Sequence, residues 1–199
     1  MLALFEGKRI FVPVILLLAA FITSQISAAG GYVAALPDMM IPTAHMGFIF
    51  FFFAFTASSL ARLAPGTGPR FLMRNRRYIG LSFALIHGTH GVLVLSNLAL
   101  TDASRPAPVL FAGGLAYLFL LAMTLTSNNA GVRAFGAKHW KRLHKQGSYY
   151  IWAIFMITST PKLIMEPSPK GWIPILGLVA LGLRIAAYRQ GKRKQATQE

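Results

Sequence analysis

Histidine is the residue type best able to do chemistry in this 199-residue chain, which carries five of them. His45, His87 and His90 fall within long apolar segments, while His139 and His144 stand in a basic stretch just ahead of another. At membrane depth a neutral imidazole can ligate a haem iron, relay a proton, or pack against a backbone carbonyl. His87 and His90 are spaced i and i+3, so a helix presents both on one broad face. Two histidines on one face of a segment without acids weigh toward a cofactor. His144, set among Lys141, Arg142 and Lys145, reads from pattern alone as part of a solvated basic interface.

Other chemistries are poorly provided for. The chain has no cysteine, which excludes disulfides, thiolate catalysis and cysteine-based metal sites. Its five acids (Glu6, Asp38, Asp102, Glu166 and Glu199) are all expected at segment ends or in loops, which argues against a carboxylate-based pump. Neither a nucleophile elbow, a zinc-protease motif nor a phosphate loop occurs.

The elements that must position these histidines follow from composition. Hydrophobic residues make up 55% of the chain and charged residues only 13%, about half the charged fraction of a soluble domain. Crossing roughly 30 Å of hydrocarbon takes about 20 mainly apolar residues. Six segments qualify, at 10–32, 40–60, 78–98, 109–125, 148–165 and 172–188. The first has the outline of a signal peptide, with Lys8 and Arg9 before an apolar run ending in Ser27-Ala28-Ala29. It is expected to be retained as an anchor helix. The predicted fold is therefore an all-α bundle of six transmembrane helices in one domain, 1–199, with a basic tail at 189–199.

Charge gives the orientation. The net charge of +15 does not signal nucleic acid, because the basic residues sit between apolar segments. Lys8 and Arg9 lie at the N-terminus. Arg62, Arg70, Arg74, Arg76 and Arg77 lie between the second and third segments, and Arg133, Lys138, Lys141, Arg142 and Lys145 between the fourth and fifth. Arg184, Arg189, Lys192, Arg193 and Lys194 close the chain, leaving only Arg105, Lys162 and Lys170 for the other side. This asymmetry predicts both termini in the cytoplasm and an even number of spans. The exterior loops are expected at 33–39, 101–108 and 166–171. Gly66, Thr67, Gly68 and Pro69 mark a cytoplasmic turn, and residues 137–144 suit a helix lying at the interface.

Three stretches carry a family resemblance. They are Thr43-Ala-His-Met-Gly47 running to Ser59-Leu-Ala-Arg-Leu63, then Arg76-Arg77-Tyr78-Ile79-Gly80-Leu81 running to His87 and His90, then Leu125-Thr126-Ser127 with Gly136-Ala-Lys-His-Trp-Lys-Arg-Leu-His144 and the pair Tyr149-Tyr150. In these the chain resembles the ferric reductase-like transmembrane family, chiefly its MsrQ-like bacterial branch, over residues 40–165. The resemblance implies a b-type haem held between the third and fifth spans of a bacterial inner-membrane protein, and electron transfer across the bilayer. It implies a cytoplasmic flavoprotein or quinol as donor and an exterior, periplasmic acceptor, the chain itself having no flavin or nucleotide site. His90 falls where the third-span ligand belongs and His144 on the first fifth-span histidine, with Arg76 and Arg77 among the cofactor-binding positions.

The family's histidine ladder is incomplete here. Arg76 stands fourteen residues before His90, and Ile157 stands thirteen after His144 where a second histidine is usual. His90 and His144 are expected to differ in height by almost 20 Å, whereas His45 and His90 differ by roughly 6 Å. His90 therefore ranks first as a metal ligand, with His45 and His87 contesting the second place and Met156 also conceivable. His144 is expected near a haem propionate or a donor. The missing ladder histidine favours a rival reading, a haem-poor or haem-free accessory subunit of a larger respiratory or photosynthetic membrane complex.

Overall fold

A computed structural model describes residues 6–165 and 171–196. Among them the chain forms a one-turn 3-10 helix, Gly7–Ile10, and six α-helices. These are α1 (Phe11–Ala29), α2 (Tyr32–Leu63), α3 (Thr67–Leu100), α4 (Ala107–Leu125), α5 (Asn129–Met165) and α6 (Trp172–Ala196). Strands are absent from the described residues. In hydrocarbon every backbone N–H and C=O needs a partner within its own segment, which the helix supplies.

Helix packing sets the architecture. Going round, α2 packs on α3, α3 on α4, α4 on α5, α5 on α6, and α6 back on α2. These helices close a ring, while α1 lies outside it against α2 and α3. The ring interior is filled by Phe48, Phe51, Phe55, Phe83 and Phe155, with Tyr117, Tyr149, Trp152 and Trp172 packed against them. The outward faces carry exposed Leu, Ile and Val, such as Leu16, Leu95 and Leu178, as a lipid-facing surface does.

Five helical segments are long and apolar enough to cross a membrane: Gly7–Ala29, Tyr32–Leu63, Thr67–Leu100, Ala107–Leu125 and Trp172–Ala196. The fifth predicted span falls in α5, which is not among these, since its second half interleaves Ser148, Tyr149, Tyr150, Thr158, Ser159 and Thr160 with its apolar residues. Two predicted loops prove helical. The exterior loop at 33–39 is the first two turns of α2, a helix of 32 residues and thus about 48 Å, longer than the hydrocarbon is thick. Asp38 accordingly lies inside α2 and is exposed there. The turn predicted at Gly66–Pro69 is shorter, since α3 starts at Thr67 and Pro69 fits its first turn, where no N–H bond is needed. The loop expected at 166–171 lies almost wholly outside the described residues.

Two glycines shape the connections. Gly30 adopts φ 72° and caps α1, so the chain reverses within two residues. Gly136 has φ 72° and ψ 145°, a non-helical conformation that kinks α5 and sets residues 129–135 at an angle to the rest, which carries Lys138, Lys141, Arg142 and Lys145. All four basic stretches gather at one end of the bundle. Gly7 N–H donates to Asn75 Oδ1 at 2.8 Å and Glu6 pairs with Arg74 at 2.9 Å, tying the N-terminus to α3. Arg77 reaches Asn129 and Arg62 reaches the Ala187 carbonyl of α6.

Candidate functional site

The candidate site is the lumen of the helix ring, which is built in layers. Nearest the end opposite the basic stretches, His45 of α2 meets Trp172 of α6 edge to face, ring centroids 5.2 Å apart. At the same height Thr43 Oγ1 lies 3.3 Å from His90 Nδ1. Below this, His87 stacks on His90 at 5.2 Å, on Tyr117 at 5.3 Å and on Phe83 at 5.2 Å, and leans on Phe155 at 5.1 Å. The next layer is the Phe51, Phe83 and Phe155 cluster.

Charge enters only at the floor. The Arg184 guanidinium of α6 lies 4.2 Å over the Phe55 ring, and Arg76 Nε of α3 donates to the Ala54 carbonyl at 3.0 Å. His144 sits at this level on α5. Its ring stacks on Trp140 at 4.1 Å, its Nε2 lies 3.3 Å from Thr126 Oγ1, and it is within electrostatic reach of Arg76. Burial, then the charge of Arg76, pushes its pKa down to about 4, so this imidazole is neutral at pH 7.

Local sequence explains how the histidines are held. Pro42 removes one rung of the α2 hydrogen-bond ladder, and Thr43, fully buried, turns its hydroxyl back to the Met39 carbonyl at 2.7 Å. His87 is held at two points besides its ring neighbours. The Tyr117 hydroxyl donates to its backbone carbonyl at 3.2 Å, and Gly47 leaves room for its ring, whose Nδ1 would lie 3.3 Å from a Cβ at that position. That Nδ1 is buried and has no hydrogen-bond partner. A buried polar atom without a partner costs about 1–3 kcal/mol, a status that Ser82 Oγ on the same helix shares.

The predicted site residues thus separate. His87 and His90 come together in the lumen, and His45 lies beside Trp172 at the height of Thr43. His144 and Arg76 belong to the floor. Because Arg76 stands fourteen residues before His90 on the continuous helix α3, the two levels are about 21 Å apart. Arg77 is directed away, donating to Asn129, and His139 is exposed. Met156 packs its sulfur against Gly177 of α6. Ile157 is 68% exposed and lines an open apolar groove with Thr160, Pro161 and Ile164, facing away from the lumen. Among the described residues no group of three or more His, Cys, Asp or Glu could hold a bare metal ion.

Comparison with known proteins decides the family. A curated relative from Enterobacter sp. (strain 638), the protein-methionine-sulfoxide reductase heme-binding subunit MsrQ, is 31% identical over 177 residues, covering 82% of this chain and 83% of its own. The chain belongs to the MsrQ family. A relative of the same name from Salmonella arizonae is 32% identical over 151 residues, with 68% and 69% of the two chains covered. No family profile matches the chain, and no solved structure matches it.

As a member of the MsrQ family with five candidate spans, the chain is a multi-pass membrane protein. Two residues of its site escape a reading of the sequence. Arg184 looks like one more basic residue of the C-terminal cluster, though it lies five residues before Arg189 and inside an apolar run. Tyr149 marks the fifth span by motif, but the pattern does not reveal that its hydroxyl accepts from Arg184 Nε at 2.9 Å.

Proposed function

We propose that this chain is the haem b-bearing, electron-carrying membrane subunit of an oxidoreductase system, of the ferric reductase-like kind. The observation that carries the reading is the stacked pair His87 and His90 in a closed aromatic lumen, with an unpartnered buried Nδ1 on His87. Imidazoles in an aromatic interior that no carboxylate of the described residues enters suit an iron porphyrin, which brings four of its own ligands and needs only one or two from protein. The relatives named as heme-binding subunits support the same conclusion.

His90 is the first ligand in this reading and His45, on the neighbouring helix α2, supplies the second; His87, stacked on His90 from the same helix face, cannot reach the opposite side of one porphyrin. Arg76 and Arg184 stay at the floor on the carbonyls of Ala54 and Phe55, about 21 Å below His90 and beyond the carboxylates of a porphyrin that His90 holds. His144 stays neutral at the floor and is not a ligand to the iron that His90 holds. When bound, the haem supplies reversible one-electron chemistry, and the protein supplies placement, burial and ligand identity.

Six passes with both termini in the cytoplasm of a bacterial inner membrane complete the proposal. The apolar half of α5 supplies the sixth pass. α4 ends at the basic end, while α6 begins with Trp172 beside His45 and runs back to Arg62, so α5 must travel the height of the ring between them. The basic end would receive electrons from a cytoplasmic flavoprotein or quinol, with an acidic donor steered there by charge. An exterior redox partner, or a larger complex, would take them at the other end.

The test is pyridine haemochrome quantification on the purified full-length protein, with an optical spectrum before and after reduction. Haem b with a Soret and a reduced α band is expected. Absence of any tetrapyrrole would instead support an accessory-subunit reading, which the outward-facing Ile157 favours.

A further inference from the structure

The His90–Thr43 contact assigns a role to a residue that has none in the scheme above. A threonine hydroxyl has one hydrogen to donate and two lone pairs to offer. Thr43 Oγ1 lies 2.7 Å from the Met39 carbonyl and 3.0 Å from the Met40 carbonyl, and both of these can only accept. Its single hydrogen is committed to them. The remaining contact, 3.3 Å to His90 Nδ1, therefore places the proton on the histidine nitrogen, with Thr43 accepting.

We propose that Thr43 is a positioning residue that fixes His90 in the tautomer with Nδ1–H, so that the Nε2 lone pair is the one that would hold a haem iron. This inference rests on His90 being a ligand. A ligating histidine commonly donates its other ring N–H to a fixed acceptor, which sets the tautomer and raises ligand basicity. The acceptor here is held rigidly, because Thr43 has no solvent exposure and its own hydrogen is anchored one turn back on α2.

The chain contains a built-in contrast. Thr126 Oγ1 likewise donates one turn back, to the Ala122 carbonyl at 2.7 Å, but it faces Nε2 of His144. The same hydrogen count leaves His144 with Nε2–H and the lone pair on Nδ1. Trp140 donates to the Thr126 carbonyl at 2.9 Å and stacks on the His144 ring, fixing that arrangement. Two Thr–His pairs thus hold opposite tautomers, one at each level of the lumen.

Thr43→Val keeps the shape and removes the acceptor, and Thr43→Ser restores it. In full-length protein the valine variant should lose roughly tenfold in haem affinity and shift the midpoint potential upward, since a less basic imidazole favours ferric iron less. If the loss falls on the ferric state, tenfold corresponds to about 59 mV for one electron. The serine variant should recover both values. A valine variant with unchanged haem content and potential would reduce Thr43 to a back-bonding helix residue and overturn the assignment. If the valine variant fails to fold, 15N chemical shifts of His90 in labelled wild-type protein give the tautomer directly, without haem. Protonation at Nε2 overturns the proposal there. A wild type without haem, or a His90→Ala variant retaining it fully, would instead defeat the ligand reading, which the tautomer measurement does not touch.

Discussion

Arg184 Nη1 of α6 donates to the Phe55 carbonyl of α2 at 2.6 Å, one residue beyond the carbonyl that receives Arg76 of α3. Successive carbonyls of one helix thus hold cations from two others, and Tyr149 adds the fourth helix by accepting from Arg184 Nε. Hydrogen bonds to charged groups contribute about 1.5–3 kcal/mol each. Arg184→Met should therefore lower stability by about 2 kcal/mol or more, read as a drop in thermal midpoint in detergent. Arg184→Lys should not restore it, because an ammonium cannot serve both acceptors while stacking on Phe55 and Tyr149. A lysine variant as stable as wild type would refute the clamp.

Helices α3 and α4 touch where Gly91 faces Tyr117. A Cβ on residue 91 would lie 2.7 Å from the tyrosine ring, whose hydroxyl is tethered to the His87 carbonyl. Gly91→Ala should cost about 1–3 kcal/mol by overpacking and displace His87 with the ring. Gly88 meets nothing within 4 Å, so Gly88→Ala serves as the control and should be neutral or slightly stabilising. Equal effects at the two positions in thermal unfolding would contradict the packing described.

The buried His144 sets a pH dependence. Its folded pKa, near 4, lies below the ordinary value of 6.5, so between these the unfolded chain binds the proton and the folded one does not. Its contribution to stability is complete above pH 6.5 and is lost as pH falls toward 4. His144→Gln should flatten this part of the stability profile between pH 6.5 and 4.5. An equally steep decline in the variant would assign the effect elsewhere.

Ligand identity can be read by single substitutions. His90→Ala should abolish haem retention. His45→Ala should convert a low-spin spectrum to high-spin while leaving haem bound, whereas His87→Ala should leave the spin state unchanged. Unaltered spectra in both would show that His90 shares its iron with neither.

Much of this arrangement is legible in the residues themselves. The i, i+3 spacing of His87 and His90 suffices to put them on one face, and the basic stretches suffice to collect four chain segments at one end. Helix ends are less legible. Pro37, Asp38 and Pro42 look like loop punctuation, yet α2 runs through all three because it extends past the hydrocarbon and its neighbours hold it. Facing is harder still. Whether His45 meets Trp172 or His90 depends on which helix packs beside α2, a fact spread over residues more than a hundred positions apart. Arg184 was hidden by its company, since a basic residue near a basic tail carries the same orientation signal whether it points to water or inward. The tautomers are invisible in sequence, because they depend on where one hydroxyl hydrogen is spent.

The first helix packs only on the outside of α2 and α3, and it takes no part in closing the ring. Its inner face, with Val14 and Leu18, covers Ile79 and Ile86, side chains that acyl chains would solvate nearly as well. Lipid can therefore stand in for this helix at small cost, and so can a helix of another protein. The ring and its outer companion are separable parts, and the flank that α1 covers is where this fold can change its neighbours without disturbing the histidines inside.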